Sequence, residues 1–589
     1  MDKLRGSGYE RLPPKSRRTS NPIRWLAIIL ALLGFFFAAL NHFNIKVQIV
    51  SAQTEEGLTC RAPLPTLFAT HPPEPDSPGF EDAALALDAL LSARTAASDI
   101  DSLSIAVVGP NGPIFERGYG VLRANESETQ NSGSVTRDSI YRIASITKMF
   151  TTLETLILRE RGALNWDDPV TKFLPNFTYP SYGWAEFMNG DAFESNQEAP
   201  ITLRQLASHL SGIGRDYPPQ DVGETWPAPF PESLSSRKVV QRSQGEKLLL
   251  DAVAKYPLVA PQFTFPVYSN TGFDVLGLCN VAANALATGK ESNFRELMQR
   301  DIFEPLRMSS SFYEMPDESL AAKMAIPASY SDWADYTFEL DNDPSGGQYS
   351  SLSDLMTVMQ SFLSPNEASV ISPYVLREWL RPMHAWSDGF YEVGAPWEMI
   401  KVGKEARAYA KGGNLPGYHS QFVVNPQWSY GVIVLVTGNY TDTATLAHEA
   451  IAHYQPAFEN LLLARALDAY GGVWIGDGSV AVVVIQDGAL YLQALFVRDQ
   501  DILALLQSGL SGKPPAPNPK PVALWSTGRP HEFRLAIGRP ELNELPTAGC
   551  EPYWISLDLP FSRGAPLDLL YWEGSDLVYP SAGVRLQRL

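Results

Sequence analysis

The tetrapeptide Ser145-Ile146-Thr147-Lys148 stands where a strand-like run gives way to a long helical pattern. In a helix, residues three apart lie on one face, one turn from each other, so the hydroxyl of Ser145 and the amine of Lys148 are expected to meet. An amine at that distance can lower the barrier to deprotonating the hydroxyl, which predicts a nucleophile with its base. The same spacing recurs in Ser235-Ser236-Arg237-Lys238, so the surrounding sequence must separate the two.

Two further short motifs follow in order along the chain. Tyr268-Ser269-Asn270 comes first, and Lys411-Gly412-Gly413 stands just before a pair of strand-like runs. In order and approximate spacing, the three motifs resemble those of serine β-lactamases and penicillin-binding proteins, most closely the class C β-lactamase and D-alanyl-D-alanine carboxypeptidase group. The resemblance covers about residues 80–460 and includes no counterpart of Ser235.

The resemblance implies a role for each motif residue. Ser145 is expected to attack a carbonyl and form an acyl-enzyme, while Lys148 and Tyr268 move the protons. The oxyanion hole is expected to use the backbone N–H groups of Ser145 and Asn414. Lys411 is expected to supply positive charge toward a substrate carboxylate or to tune Tyr268. The residues implied to contact the substrate are Asn270, Lys411, Gly413 and Asn414.

The third motif departs from the family pattern at Gly412. Lactamases usually carry a hydroxyl residue there that binds the substrate carboxylate, and glycine has no hydroxyl. This weakens the case for β-lactams and D-alanyl peptides and favours an ester, a lactone or an amide of a small molecule. The predicted function is therefore a serine hydrolase with an acyl-enzyme intermediate and no cofactor.

Two other functions remain open from the sequence. An acyltransferase or transesterase would form the same intermediate and pass the acyl group to an alcohol or amine, as in transesterases of this fold in secondary metabolism. A catalytically inactive, membrane-anchored binding protein would keep the fold alone. A metal hydrolase is excluded, because His448 and His453 are five residues apart and would lie about 140° apart around a helix.

Composition sets the broad class of the protein. The chain has 589 residues with a formal net charge of -19, and its body lacks the stripe of Lys and Arg that a nucleic-acid-binding surface needs. This argues against nucleic-acid binding. Its three cysteines are too few for a disulfide scaffold. Cys279 lies in a small-residue helical run and is predicted to be a buried free thiol, whereas pairing of Cys60 with Cys550 is left open.

The N-terminal sequence predicts the location of the protein. A basic tail at 1–24 precedes an apolar run at 25–41, which predicts a single-pass type II signal anchor with the body on the lumenal or extracellular side. A cleaved signal peptide followed by secretion is the alternative. A Pro-rich tether covers 42–78. The sequons predict glycosylation at Asn125, Asn176 and Asn439.

The remaining chain predicts two folded parts. Residues 79–460 are expected to form the β-lactamase-like catalytic domain, an α/β or α+β body in which an antiparallel sheet is flanked by helices and accompanied by an all-helical subdomain. Residues 461–589 predict a small all-β C-terminal domain, with one of its strands at 553–557. His209 and His419 are interpreted as structural or cleft-lining residues. Inserts near 179–245 are expected to reshape the cleft rim.

Overall fold

The computed structural model describes residues 60–589 apart from 66, 127–131, 191–198, 220–244, 316, 339–341, 365–368, 403–405, 510–517, 540–542, 544 and 546–547. The features below belong to one compact unit, made of Cys60–Leu545 and Cys550–Leu589. The predicted anchor at 25–41 lies outside the described residues, as does Ser235, which has the same spacing to a lysine as Ser145. Within the described part of the chain, no helix combines the length and apolar character needed to span a bilayer.

The body is built on one antiparallel sheet of eight strands in the order β2-β1-β10-β9-β8-β7-β6-β5. This confirms the predicted antiparallel sheet, which begins with a hairpin. A separate short pair, β3 and β4, lies beside the sheet. The strands are β1 Ile100–Gly109, β2 Gly112–Gly120, β3 Ile140–Arg142, β4 Tyr349–Ser351, β5 His384–Ala385, β6 Tyr391–Val393, β7 Glu398–Val402, β8 Ala406–Leu415, β9 Tyr418–Asn425 and β10 Tyr430–Gly438.

Helices cover both faces of this sheet. The helices are α1 Leu67–Thr70, α2 Phe80–Thr95, α3 Thr147–Glu160, α4 Trp184–Asn189, α5 Leu203–Ala207, α6 Glu246–Lys255, α7 Asn270–Thr288, α8 Phe294–Met298, α9 Glu318–Ala321, α10 Asp343–Gly346, α11 Leu352–Leu363, α12 Pro373–Trp379, α13 Thr443–Tyr470, α14 Ile502–Gly509 and α15 Glu551–Trp554. Helices α2 and α13 pack on one face, and α11 packs against β1 and β10 on the other.

Strand β1 shows how the sequence creates two cores. Ile105 and Val107 point into the cluster beneath α2 and α13, whereas Ala106 and Val108 join the cluster on the opposite face. Because side chains alternate along a strand, a continuous apolar run is required where both faces are covered. The cluster that contains Ala106 and Val108 also holds most of the helical region, including α3 and α7, which pack against each other.

The C-terminal part is a closed β-barrel. Its strands follow the order β12-β11-β21-β20-β19-β16-β15-β13, and β13 pairs back onto β12. Helix α13 runs from the central sheet to Tyr470, directly before this barrel. It therefore continues without a break across residue 460, where the sequence predicts the end of the catalytic domain. The strands are β11 Gly472–Gly476, β12 Ser479–Gln486, β13 Ala489–Val497, β14 Gln500–Asp501, β15 Val522–Ser526, β16 Glu532–Ala536, β17 Phe561–Ser562, β18 Ala565–Pro566, β19 Leu569–Glu573, β20 Asp576–Tyr579 and β21 Val584–Arg588.

The prediction of a strand at 553–557 is wrong. Residues Glu551–Trp554 form the short helix α15, with Pro552 in its first turn. Proline is well suited to that place, because its fixed φ matches the helix and its missing N–H is not needed there. The alternating apolar residues that indicated a strand therefore lie partly in this helix.

Cys60 and Cys550 form a disulfide across a sequence separation of 490 residues. Cys279 is a buried free thiol, as predicted, and burial raises its pKa above the usual range. The bond joins the start of the described chain to the barrel, next to β13, where Arg61 donates to the carbonyl of Gly488. The sequence left the pairing of these two cysteines open, and the structure shows that they are paired.

Breaking this disulfide is expected to destabilise the protein. Cys60→Ser should lower the free energy of unfolding by about 2–4 kcal/mol, because the unfolded chain regains the freedom that the cross-link removes. Thermal unfolding with and without reductant tests this, since reductant should lower the melting temperature of the native sequence and leave that of the variant unchanged. Thiol titration of the denatured native chain should find one free thiol; three thiols without reductant would contradict the pairing.

Candidate active site

Ser145 lies in a tight turn that leads directly into α3. The turn Ala144–Ile146 is a 3₁₀ helix, and Ala144 has a φ of 50°. Ser145 is half-buried and lines a cavity, whereas Lys148 on the first turn of α3 is completely buried. The Nζ atom of Lys148 donates to Ser145 Oγ at 3.0 Å. The structure therefore brings together the hydroxyl and the amine that the spacing predicts.

Lys148 is held by three oxygen atoms. Besides Ser145 Oγ, its Nζ donates to Asn270 Oδ1 at 2.7 Å and to the carbonyl of Ser345 at 2.5 Å. An ammonium has three N–H donors, so this arrangement satisfies all of them. The buried side chain is thus held in one position with its charge directed at the serine.

Tyr268 lies beside both lysines of the motifs. The distances from its ring centroid are 5.0 Å to Lys148 Nζ and 5.2 Å to Lys411 Nζ. Burial alone would raise the pKa of the phenol, but the positive charges of Lys148 and Lys411 outweigh it and, with a hydrogen bond to Ser145, lower the pKa to about 8. A unit charge about 5 Å away contributes roughly 3 kcal/mol at an effective dielectric constant of about 20, so each lysine can lower the pKa of a nearby phenol appreciably. Tyr268 is thereby suited to proton transfer near neutral pH.

His209 packs against Tyr268. The imidazole and phenol rings are stacked at 4.4 Å, and His209 Nδ1 accepts the backbone N–H of Ser269 at 3.0 Å. Burial, together with the charges of Lys148, Lys411 and Arg215, holds the pKa of His209 well below its usual value. The ring is therefore neutral and fixes the orientation of Tyr268. His419, in contrast, contacts Asn414 Oδ1 through Nδ1 at 2.8 Å.

Asn270 begins helix α7 and connects two charged groups. Ser269 precedes it as the N-cap, and its hydroxyl accepts the N–H of Gly272 at 2.7 Å. The amide of Asn270 accepts from Lys148 and donates through Nδ2 to Asp216 Oδ1 at 2.8 Å. Asn270 thus positions Lys148, a contact that the motif order did not reveal.

The third motif lies on β8, next to the serine turn. A Cβ on Gly413 would come within 2.2 Å of the carbonyl oxygen of Ile143 and 3.0 Å of Ser145 N, so only glycine lets the strand approach this closely. Asn414 follows and lines the same cavity as Ser145. The predicted oxyanion residues Ser145 and Asn414 are therefore on one wall of one cavity.

Lys411 is buried and paired with Glu398, a residue that the sequence did not single out. Its Nζ donates to Glu398 Oε1 at 2.6 Å, and the N–H of Gly412 donates to Glu398 Oε2 at 3.0 Å. Burial would lower the pKa of Lys411, but the charges of Glu398 and Tyr268 raise it. Lys411 is therefore a permanent cation beside Tyr268.

These residues surround a cavity of about 520 Å³. Exposed aromatic rings of Trp386 and Tyr391, at the two ends of the turn between β5 and β6, form part of its rim. The described residues contain no cluster of His, Cys, Asp and Glu arranged to hold a metal ion. Much of the predicted inserts, 191–198 and 220–244, lies outside the described residues. The lining residues are Ser145, Arg215, Tyr268, Trp386, Tyr391, Glu392, Val393, Glu398, Ile400, Ala410, Lys411, Gly412, Asn414, Gln421, Thr441, Asp442, Thr443 and Ala444.

The three predicted glycosylation sites are exposed. Asn125 and Asn176 lie in surface turns, and Asn439 follows the end of β10. Exposure is necessary for modification of a folded protein, and glycosylation at these residues stays a prediction.

Comparisons with known proteins agree on one family. The family model described as Beta-lactamase matches residues 87–455. The chain is 39% identical over 283 residues to the Beta-lactamase-like protein str5 of Strobilurus tenacellus, a match that covers 45% of this chain and 92% of that protein. It is 29% identical over 276 residues to the D-alanyl-D-alanine-carboxypeptidase/endopeptidase AmpH of Escherichia coli (strain K12), covering 45% of this chain and 58% of that protein.

A solved structure shares the fold. The octameric penicillin-binding protein homologue from Pyrococcus abyssi superposes with a TM-score of 0.50 at 17% sequence identity. The superposition covers 85% of this chain and 99% of that one. At this identity the likeness concerns the fold alone.

Proposed function

Because the chain belongs to the β-lactamase family, we propose that it is a serine hydrolase that forms an acyl-enzyme on Ser145. The observation that carries the proposal is the contact between Ser145, Lys148 and Tyr268 at the wall of an open cavity. A nucleophile, a fixed cation and a phenol with a pKa of about 8 are there within reach of one another. Such a set suits attack on a carbonyl followed by release of the acyl group.

The proposed reaction has two halves. In the first, the Tyr268 phenolate takes the proton of Ser145 while Oγ bonds to the substrate carbonyl carbon, and the N–H groups of Ser145 and Asn414 bind the resulting oxyanion. Tyr268 then gives its proton to the leaving oxygen, and the C–O bond breaks to release an alcohol. In the second half, Tyr268 takes a proton from water, the hydroxide attacks the acyl-enzyme, and Tyr268 returns that proton to Ser145 Oγ as the C–O bond breaks and the acid leaves.

Ester, lactone or simple amide substrates are supported by the third motif. Gly412 offers no side-chain hydroxyl to a substrate carboxylate, and its N–H is already bound by Glu398.

Transfer of the acyl group to an alcohol or amine uses the same intermediate and is the second candidate function, since the open cavity can admit an acceptor in place of water. Product analysis with and without an added alcohol or amine separates hydrolysis from transfer.

We propose further that the body works on the lumenal or extracellular side of a membrane. The basic tail and apolar run at 1–41 support a type II anchor, with secretion after cleavage as the alternative. The disulfide between Cys60 and Cys550 and the exposed sequon residues fit an oxidising compartment. Protease protection and glycosidase sensitivity in isolated membranes test this proposal.

Trapping of the covalent intermediate tests the proposed chemistry. Incubation of the intact protein with a fluorophosphonate or with a slowly hydrolysed aryl ester should add one adduct mass, and peptide mapping should place it on Ser145. Folded protein that accepts neither reagent would argue for the inactive binding protein instead.

The pH dependence of the reaction provides a second test. The value of kcat/KM for an uncharged ester should rise with pH and level off with an apparent pKa of about 8, because only deprotonated Tyr268 can accept the serine proton. The charges of Lys148 and Lys411 stabilise the phenolate, which places this rise below the usual pKa of a tyrosine. A profile that stays flat on either side of pH 8 would contradict Tyr268 as the base.

A further inference from the structure

Glu398 occupies the place where an incoming anion would bind. A buried ammonium and a backbone N–H next to it, those of Lys411 and Gly412, form a pair of donors suited to a carboxylate. Both donors are used by one side chain, since Glu398 Oε1 accepts from Lys411 at 2.6 Å and Glu398 Oε2 accepts from Gly412 at 3.0 Å. The protein thus supplies its own carboxylate at this position.

The sheet register places that carboxylate in the cavity. Glu398 is the first residue of β7 and pairs with Ala410, so the ladder between β7 and β8 ends just before Lys411. The side chain reaches past this end to the motif, and 43% of it remains exposed. Lys411 is only 1% exposed, so the charge that a substrate meets here is that of the carboxylate.

Other charged residues of the cavity are bound differently. Glu392 pairs with Arg407, and Asp442 caps α13 by accepting the N–H of Thr445 at 3.1 Å. Arg215 lies over the ring of Tyr268, with its guanidinium 4.8 Å from the ring centroid and 3.7 Å from Asp216. Glu398 is therefore distinguished by its contact with the catalytic-site cation Lys411.

We propose that Glu398 is a specificity-determining residue, which makes the site prefer acyl donors that are uncharged next to the scissile bond over donors that carry a carboxylate there. The proposal rests on the function proposed above and narrows its substrate class to esters, lactones and amides that are uncharged next to the scissile bond. A substrate carboxylate would have to displace Glu398 from its two donors or lie beside it as a like charge. Like-charge contacts in a binding site are strongly unfavourable, and Glu398 is partly screened by solvent, so we expect a preference of at least about tenfold.

Two pairs of compounds measure this preference. The 3-carboxyphenyl and 3-carbamoylphenyl esters of one acid have nearly the same shape and differ in charge, and their kcat/KM values can be compared directly. The matching 3-carboxyphenyl and 3-carbamoylphenyl boronic acids bond reversibly to a nucleophilic serine, so their dissociation constants report the same preference without turnover. The native protein should favour the carbamoyl member of each pair by about tenfold or more.

Glu398→Gln should reduce this preference to within about threefold of unity, because the competing charge is gone and Lys411 can attract the anion. It should also move the rise of kcat/KM to lower pH, since Glu398 raises the pKa of Tyr268. The matched control is Glu532→Gln, which removes a carboxylate that pairs with Arg529 on the barrel, outside the lining of the cavity; its preference should stay near that of the native protein. Circular dichroism verifies that both variants are folded.

The outcomes separate the two proposals. Equal boronate dissociation constants in the native protein would overturn the charge selection while leaving the acyl-enzyme intact, as would an unchanged preference in folded Glu398→Gln. Boronates that still discriminate by charge in a protein that turns over neither ester would support the role of Glu398 and contradict the hydrolase.

Discussion

Ser145→Ala is expected to abolish turnover and covalent labelling. Removal of a serine nucleophile that acts as one unit with its partners costs about 10⁴- to 10⁶-fold in kcat. Folding should be preserved, because Ser145 is only half-buried and Lys148 keeps its contacts with Asn270 and Ser345. The measurements are hydrolysis of an uncharged aryl ester and labelling by a fluorophosphonate, both on protein of verified circular dichroism.

The chain contains a matched control for this experiment. Ser235 has the same spacing to a lysine, Lys238, but lacks the flanking sequence of the catalytic motif. Ser235→Ala should therefore keep native turnover and labelling. If activity survived in Ser145→Ala and vanished in Ser235→Ala, the assignment of the nucleophile would be overturned.

The residues found from the sequence are those that belong to short, recognisable motifs. Ser145 and Lys148 meet because they are one helical turn apart, and Gly413 is needed because β8 passes against the serine turn. Each feature leaves a local pattern that can be recognised in the order of the three motifs. The antiparallel sheet could be predicted for the same reason, since its strands are apolar runs separated by turn residues.

The residues that were missed depend on pairing between distant segments. Glu398 reaches Lys411 because β7 pairs with β8 in one particular register, and no local pattern distinguishes it among 65 acidic residues. The sequence indicates that His209 is a structural or cleft-lining residue, but its stacking on Tyr268 joins two distant segments and was not predicted. The strand predicted at 553–557 failed because alternation over a few residues does not register that Pro552 favours a helical turn.

Tyr268→Phe is expected to lower kcat for an uncharged ester by about 10²- to 10⁴-fold, the usual contribution of a general acid–base group. The change removes one oxygen atom and leaves the ring stacked on His209, so the fold of the site should persist. Ser145 would still be present, and fluorophosphonate labelling should continue at a reduced rate, in contrast to its complete loss in Ser145→Ala. The rise of kcat/KM near pH 8 should disappear together with the phenol.

Tyr430→Phe provides the matched control, because it removes the same atom from a buried phenol on the far face of the sheet. There the hydroxyl donates to Gln455 Oε1 at 2.7 Å, and its loss should cost about 1 kcal/mol of stability without changing kcat. Near-native turnover in Tyr268→Phe, with the rise near pH 8 intact, would transfer the role of base to another group. Lys148 would then be the group to test, because its Nζ lies within hydrogen-bond distance of Ser145 Oγ and the deprotonated amine can accept the proton.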